Sequence, residues 1–202
     1  MTAIKICGLT RREDVALASE LGAALLGFNF VEGSPRRLSV EWARAVVEDS
    51  RAGVLRVGVF AAEKRETIER AIAEVPLDLV QLHRRVTSED VDWCPVPIVA
   101  AVRLEDGAVA LPPEEVLRRC HALLWDSSSG TGRRLDADLR PPAGLPIPYF
   151  VAGGLDADNV GDWIRRLRPS GVDVASGVES SPGIKDPRRM RLFFEAVREA
   201  GV

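Results

Sequence analysis

The stretch IKICGLTRREDVALASELGAALLGFNF, residues 4–30, reads as strand, helix, strand. Its two apolar runs, at Ile4–Cys7 and Leu25–Phe30, are short, as buried strands are. Between them, residues 11–21 form a helix candidate. Thr10 precedes it with Glu13 three residues on, a capping-box pattern. Gly22 follows it, the usual helix stop. A unit of this kind sets two parallel strands side by side with a helix crossing over between them.

The unit recurs along the chain. Apolar runs begin near residues 4, 25, 54, 78, 96, 122, 148 and 172, spaced by 18 to 29 residues. Each spacing is about the length of a strand, a helix and two tight loops. A second helix follows Ser39, with Trp42, Ala45 and Val46 at helical spacing. A third covers Arg65 to Ala73, and a short one runs from Glu114 to Arg119 behind Pro112-Pro113. Asp156 is placed to cap a helix reaching Leu167. Asp186 caps the last helix with Pro187 at its first position, and Leu192, Phe193, Ala196 and Val197 form its apolar stripe. The fourth unit, Thr87 to Trp93, and the sixth, Arg134 to Arg140, are the short ones.

Eight strand–helix units in 202 residues predict an α/β fold: one (β/α)8 TIM barrel of eight parallel strands, a single domain over 1–202 with a reduced sixth helix. The competing open doubly wound sheet usually has five or six strands.

Composition narrows the class of function. Hydrophobic residues are 46% and charged residues 28% of the chain, which argues against disorder. The net charge is -3, without the basic excess a nucleic-acid binder carries. Arginine outnumbers lysine 24 to 3, often in pairs such as Arg118-Arg119 and Arg165-Arg166, read as solvated helix faces. No apolar run reaches the ~18 to 20 residues of a membrane helix, and the N-terminus has no signal-peptide pattern. Cys7, Cys94 and Cys120 are scattered, and only His83 and His121 could join them at a metal. Neither a disulfide framework nor a zinc site is expected, and a reducing cytoplasm is.

In such a barrel the chemistry sits at the C-terminal strand ends. Those ends read Lys5-Ile6-Cys7-Gly8, Gln81-Leu82-His83, Trp125-Asp126, Ala152-Gly153-Gly154 and Asp173-Val174-Ala175-Ser176-Gly177. Strand alternation turns Lys5, Cys7, Asp126 and Asp173 toward the barrel axis and Trp125, Val172 and Val174 outward. Gly153-Gly154 and Ser176-Gly177, each ahead of a helical segment, suit a phosphate. Cys7 is either a small core residue or a base whose thiolate needs a cation. Lys5 either supplies that cation or pairs with Asp173. Asp126 is either an acid or a turn cap, and Arg36 either a ligand contact or a solvated loop residue. Arg133-Arg134 meets either substrate or solvent. Cys94 and Cys120 are assigned to packing, and His121 to the far end of strand 6.

The chain resembles the phosphoribosylanthranilate isomerases of tryptophan biosynthesis. The motifs that carry the resemblance, in order, are KICGLT (5–10), LGFNF followed by SPR (26–36), RVGVF (56–60), VQLH (80–83), LLWD (123–126), SGTGR (129–133), VAGGL with Asn159 (151–159) and VDVASGVESSPGIKD (172–186). The resemblance implies Cys7 as general base and Asp126 as general acid. It implies Arg36 for the substrate's anthranilate carboxylate, and Gly153, Gly154, Ser176 and Gly177 for its phosphate. Gln81, His83 and Asp173 fall near the substrate. The implied partner is a small phosphosugar-anthranilate, with no metal or other cofactor, no nucleic acid, no membrane, and a monomeric or homodimeric state. The chain departs from the family pattern at Arg84-Arg85 after QLH, in its short sixth loop, and at Asn29 in place of an apolar residue. A histidine-pathway aldose–ketose isomerase is disfavoured by the cysteine at the first strand end and the lack of a half-barrel repeat. A barrel acting only as a binding module is the non-enzyme alternative.

Overall fold

The computed structural model describes residues 2–105, 108–109, 111–126 and 144–201. Eight parallel strands form one sheet: β1 (Ala3–Cys7), β2 (Leu25–Asn29), β3 (Leu55–Phe60), β4 (Leu79–Leu82), β5 (Ile98–Glu105), β6 (Ala122–Asp126), β7 (Tyr149–Ala152) and β8 (Gly171–Val174). Their order is β4-β3-β2-β1-β8-β7-β6-β5, and β5 pairs back to β4. The sheet therefore closes, which excludes the open doubly wound alternative. A short antiparallel strand, Ala108–Val109, extends β5.

Closure follows from what each strand buries. Leu25, Val57, Leu79, Val99, Ala122, Leu124 and Phe150 pack inside the cylinder. Alternate residues such as Ile4, Ile6, Leu26, Phe28, Leu123, Trp125, Val172 and Val174 pack outward against the helices. A strand covered on both faces needs apolar residues at nearly every position, which is why these runs do not alternate. Above the inner layer the axis-facing positions become polar.

The helices are α1 (Arg12–Leu21), α2 (Val40–Val47), α3 (Arg65–Glu74), α4 (Ser88–Trp93), α5 (Glu114–Leu117), α6 (Val160–Leu167) and α7 (Pro187–Ala200). The reduced sixth helix expected over Arg134–Arg140, and Arg133-Arg134 itself, lie outside the described residues. Ser39 caps α2 by accepting from Trp42 N, and Asp186 caps α7 by accepting from Arg188 and Arg189 N; each such cap is worth about 1 kcal/mol. Among the described residues, no helix is long and apolar enough to cross a membrane.

Four local expectations are corrected. Thr10 does not cap α1, because its hydroxyl donates to Gly183 O; Arg11 takes the N-cap position with no side-chain cap. Trp42 is 50% exposed, and Ala43, Val46 and Val47 form the buried face of α2. Leu192 is 45% exposed; Met190, Phe193, Phe194 and Val197 are the buried stripe of α7. Asp156 closes a turn onto Asp158 and Asn159 N, so α6 starts only at Val160. For Thr10, Trp42 and Asp156 a tertiary partner or a local turn outcompetes the helical pattern, while on α7 the buried stripe runs beside Leu192.

Candidate active site

The C-terminal strand ends open into a cavity of about 550 Å³. Cys7, Arg36, His83 and Asp126 line it, as do Gly153, Gly154, Asp173 and Ser176. With Val59 and Ala61 of the third unit, residues from seven of the eight strand–loop units line one volume.

β1 supplies a buried pair. Lys5 and Asp173 are directly opposite in the β1–β8 register, and Lys5 Nζ donates to Asp173 Oδ1 at 3.1 Å. Cys7 stands two residues on, on the same inward face, opposite Gly27 of β2. A Cβ at Gly27 would lie 2.8 Å from Cys7 Sγ and 3.1 Å from Lys5 Nζ. That glycine is the clearance that admits the sulfur and the ammonium together. Burial pushes the Cys7 thiol up from its ordinary value, while the neighbouring Lys5 ammonium pulls it down in part. Burial pushes Lys5 the other way, but the charges of Asp173 and Cys7 outweigh it and keep the amine protonated.

The loop after β2 is shaped by Asn29. Its Oδ1 accepts from Val31 N at 2.8 Å and its Nδ2 donates to Ser34 Oγ at 3.2 Å. Ser34 Oγ in turn accepts from Arg36 N at 3.2 Å. The amide at position 29 thus sets the loop that carries Arg36. The Arg36 guanidinium forks onto Glu179, Nε to Oε1 at 2.8 Å and Nη2 to Oε2 at 2.7 Å. Arg36 is therefore paired and only partly exposed, through a contact to Glu179 that the sequence does not reveal.

Gln81 does not line the cavity. It is wholly buried, with its Nε2 2.6 Å from His83 Nε2. Arg84, whose role the sequence left open, clamps Asp90 at the start of α4 with bonds of 2.7 and 2.5 Å. The same carboxylate closes a capping box with Thr87. Arg84 thus fastens the fourth loop from outside.

Asp126 ends β6, 8% exposed and opposite Ala152 of β7 in the register. The following two loops are glycine-built. Gly153 and Gly154 take φ of 100° and 64°, values that favour glycine. Asn159 holds this turn, donating to Gly154 O at 2.9 Å and accepting from Asp156 N at 3.1 Å. After β8 a 3-10 turn spans Ser176–Val178. Gly177 is not among the residues lining the cavity. A Cβ there would sit 1.9 Å from Leu155 O, so Gly177 is where the seventh and eighth loops touch. Cys120 is buried and its thiol is pushed up to about 11 by burial, as suits a packing residue.

Glu179 and Lys185 were also missed as individual residues, although both fall within the VDVASGVESSPGIKD motif. Lys185 Nζ donates to Cys7 O, Ala175 O and Glu179 Oε1 at 2.6, 3.1 and 2.9 Å. The available signal was a single lysine and a single glutamate in a short loop bearing two glycines. Buried charges need partners, but loop residues offer no strand parity from which to name them.

Comparison with known proteins bears on the chain as a whole. Residues 4–196 match the family described as N-(5'phosphoribosyl)anthranilate (PRA) isomerase. An N-(5'-phosphoribosyl)anthranilate isomerase of Pseudomonas putida strain F1 is 38% identical over 201 residues, 97% of each chain. The crystal structure of phosphoribosyl anthranilate isomerase from Thermotoga maritima is similar with a TM-score of 0.84 and 31% identity, covering 98% of this chain and 100% of that one. A phosphoribosyl anthranilate isomerase in complex with reduced 1-(o-carboxyphenylamino)-1-deoxyribulose 5-phosphate is similar with a TM-score of 0.79 and 30% identity, covering 98% and 100%. With its closed barrel, its strand-end cavity and near full-length matches, the chain belongs to the N-(5'-phosphoribosyl)anthranilate isomerase family.

Proposed function

We propose that Cys7 and Asp126 are the base and acid of an Amadori rearrangement, within one barrel domain over 1–202. N-(5-phosphoribosyl)anthranilate is converted to 1-(2-carboxyphenylamino)-1-deoxyribulose 5-phosphate, a step of tryptophan biosynthesis. The observation that carries this reading is that the two residues line one cavity together with glycine loops and an arginine. At about 550 Å³ the cavity is within the range of small-molecule sites.

Asp126 protonates the furanose ring oxygen, and the C1–O bond breaks as the anilino nitrogen lone pair forms the C1=N bond of a Schiff base. Cys7 removes the C2 proton. The C2–H electrons form the C1=C2 bond, the iminium neutralises, and the enolamine tautomerises to the ketose. Each positioned proton transfer is worth on the order of 10²–10⁴ in rate.

The substrate's two anionic ends suit opposite walls. Backbone N–H groups of Gly153, Gly154 and Ser176 would hold the phosphate, with Gly177 packing the two loops that carry them. Arg36 would hold the anthranilate carboxylate, with Val31, Val59 and Ala61 lining the cavity beside it for the ring. His83 and Asp173 line the space between, and Gln81 supports His83. Remote binding of both ends holds C2 at the base and is reflected in turnover, not only in affinity.

Turnover followed by loss of substrate fluorescence tests the reading. Cys7→Ala and Asp126→Asn should each lower kcat by at least 10²-fold while a product analogue still binds. Wild-type turnover in either variant rejects that role.

A further inference from the structure

We infer that Glu179 and Lys185 are positioning residues for Arg36: Lys185 fastens Glu179 to the ends of β1 and β8, and Glu179 aims Arg36 at the substrate carboxylate. The inference rests on the reading of Arg36 given above.

Lys185 has no donor left for a ligand. Its side chain is fully buried, and its Nζ meets two backbone carbonyls and one carboxylate oxygen. All three are acceptors, so the group is an ammonium with one proton for each. None remains for a ligand. The two carbonyls, Cys7 O and Ala175 O, stand at the ends of adjacent strands. Lys185 thus ties Glu179 to the rim of the barrel.

Glu179 transmits that anchorage. Its Oε1 accepts from Lys185 Nζ, from Gly183 N at 3.2 Å and from Arg36 Nε; its Oε2 accepts from Arg36 Nη2. The fork fixes the guanidinium plane, because two parallel bonds to one carboxylate leave it no rotation. It uses the Nε–Nη2 edge. Nη1 and the second Nη2 proton remain, and that second edge can take another carboxylate in the cavity Arg36 lines. The cluster of two cations and one anion keeps a net positive charge, so it still attracts an anion. A long arginine on a loop is thereby ordered before the ligand arrives.

The test uses two ligands: reduced 1-(2-carboxyphenylamino)-1-deoxyribulose 5-phosphate, and the same compound without the ring carboxylate. Lys185→Met should weaken the carboxylated ligand at least tenfold and the other less than twofold. Equal losses, or none, overturn the inference. Because Lys185→Met removes a buried anchor and can fail to fold, Glu179→Gln is the second variant. Its amide offers Arg36 one oxygen instead of two. Positioning predicts the same selective loss, whereas charge alone predicts tighter binding to a more cationic site; tighter or unchanged binding overturns the inference. In an Arg36→Ala background neither change should add selectivity, and additive losses also overturn it. If Arg36→Ala itself does not distinguish the two ligands, the reading of Arg36 fails. If Arg36→Ala distinguishes them and the other two variants do not, only the relay fails.

Discussion

Lys5 and Asp173 face each other across the β1–β8 register, buried to 1% and 7% exposure, with 3.1 Å between Nζ and Oδ1. Removing one partner of such a pair strands a buried charge, which costs about 3–5 kcal/mol, whereas replacing both with uncharged residues can be nearly neutral. Lys5→Met should therefore lower the melting temperature sharply, and adding Asp173→Asn should restore most of the loss. Calorimetry of both variants checks this; a double variant no more stable than Lys5→Met would show that the pair is not coupled.

The ammonium also bears on the thiol. Burial holds Cys7 above the ordinary thiol value of 9.0, so the thiolate is the minor form at neutral pH. A base in that state gains about tenfold in kcat/KM per pH unit until its pKa is reached. The Cys7 limb of the profile should therefore still be rising at pH 9. Lys5→Met should move the limb upward in pH, since the cation that favours the thiolate is gone. A plateau beginning below pH 8 in the wild type would contradict the assignment of Cys7 as the rate-limiting base.

Gly177 tests the phosphate loops without touching the proposed acid or base. A Cβ placed 1.9 Å from Leu155 O forces the seventh and eighth loops apart. Gly177→Ala should raise KM for the phosphorylated substrate at least tenfold and weaken inhibition by inorganic phosphate in parallel. Unchanged phosphate inhibition would place the anion elsewhere.

The Arg84–Asp90 clamp predicts an acid-sensitive contribution to stability. Burial raises the Asp90 carboxyl, but Arg84 and Thr87 outweigh it and hold it below 3.8. A depressed folded-state value means stability that is present above pH 3.8 and lost as pH falls through that lower value. Arg84→Ala should cost about 1–2 kcal/mol at pH 7, a figure reduced for the partial exposure of the arginine. The difference from wild type should shrink below pH 4. Denaturant unfolding at pH 7 and pH 3.5 measures both; a pH-independent difference would mean the loss is one of packing.

Much of this was legible along the chain because it depends on period and spacing. Eight apolar runs at near-regular intervals point to a parallel sheet covered on both faces, and their number favours the closed barrel over the open sheet, which usually has five or six strands. Period-two alternation then turns Lys5, Cys7, Asp126 and Asp173 inward, as observed around the cavity and the inner layer. Helix ends marked by Ser39 and Asp186 were also local, because the cap and the amides it serves lie within three residues.

The partnerships were not local. Thr10 leaves its capping pattern for Gly183, Arg36 finds Glu179 across 143 residues, and Lys185 joins Cys7 across 178. Gln81 and His83 share a strand end, yet only packing decides that Gln81 is wholly buried while His83 lines the cavity. A hydrogen bond between loops depends on where the closed cylinder brings their ends. Residue type announces that a buried lysine or glutamate must find a partner, and the three-dimensional closure of the sheet chooses which one.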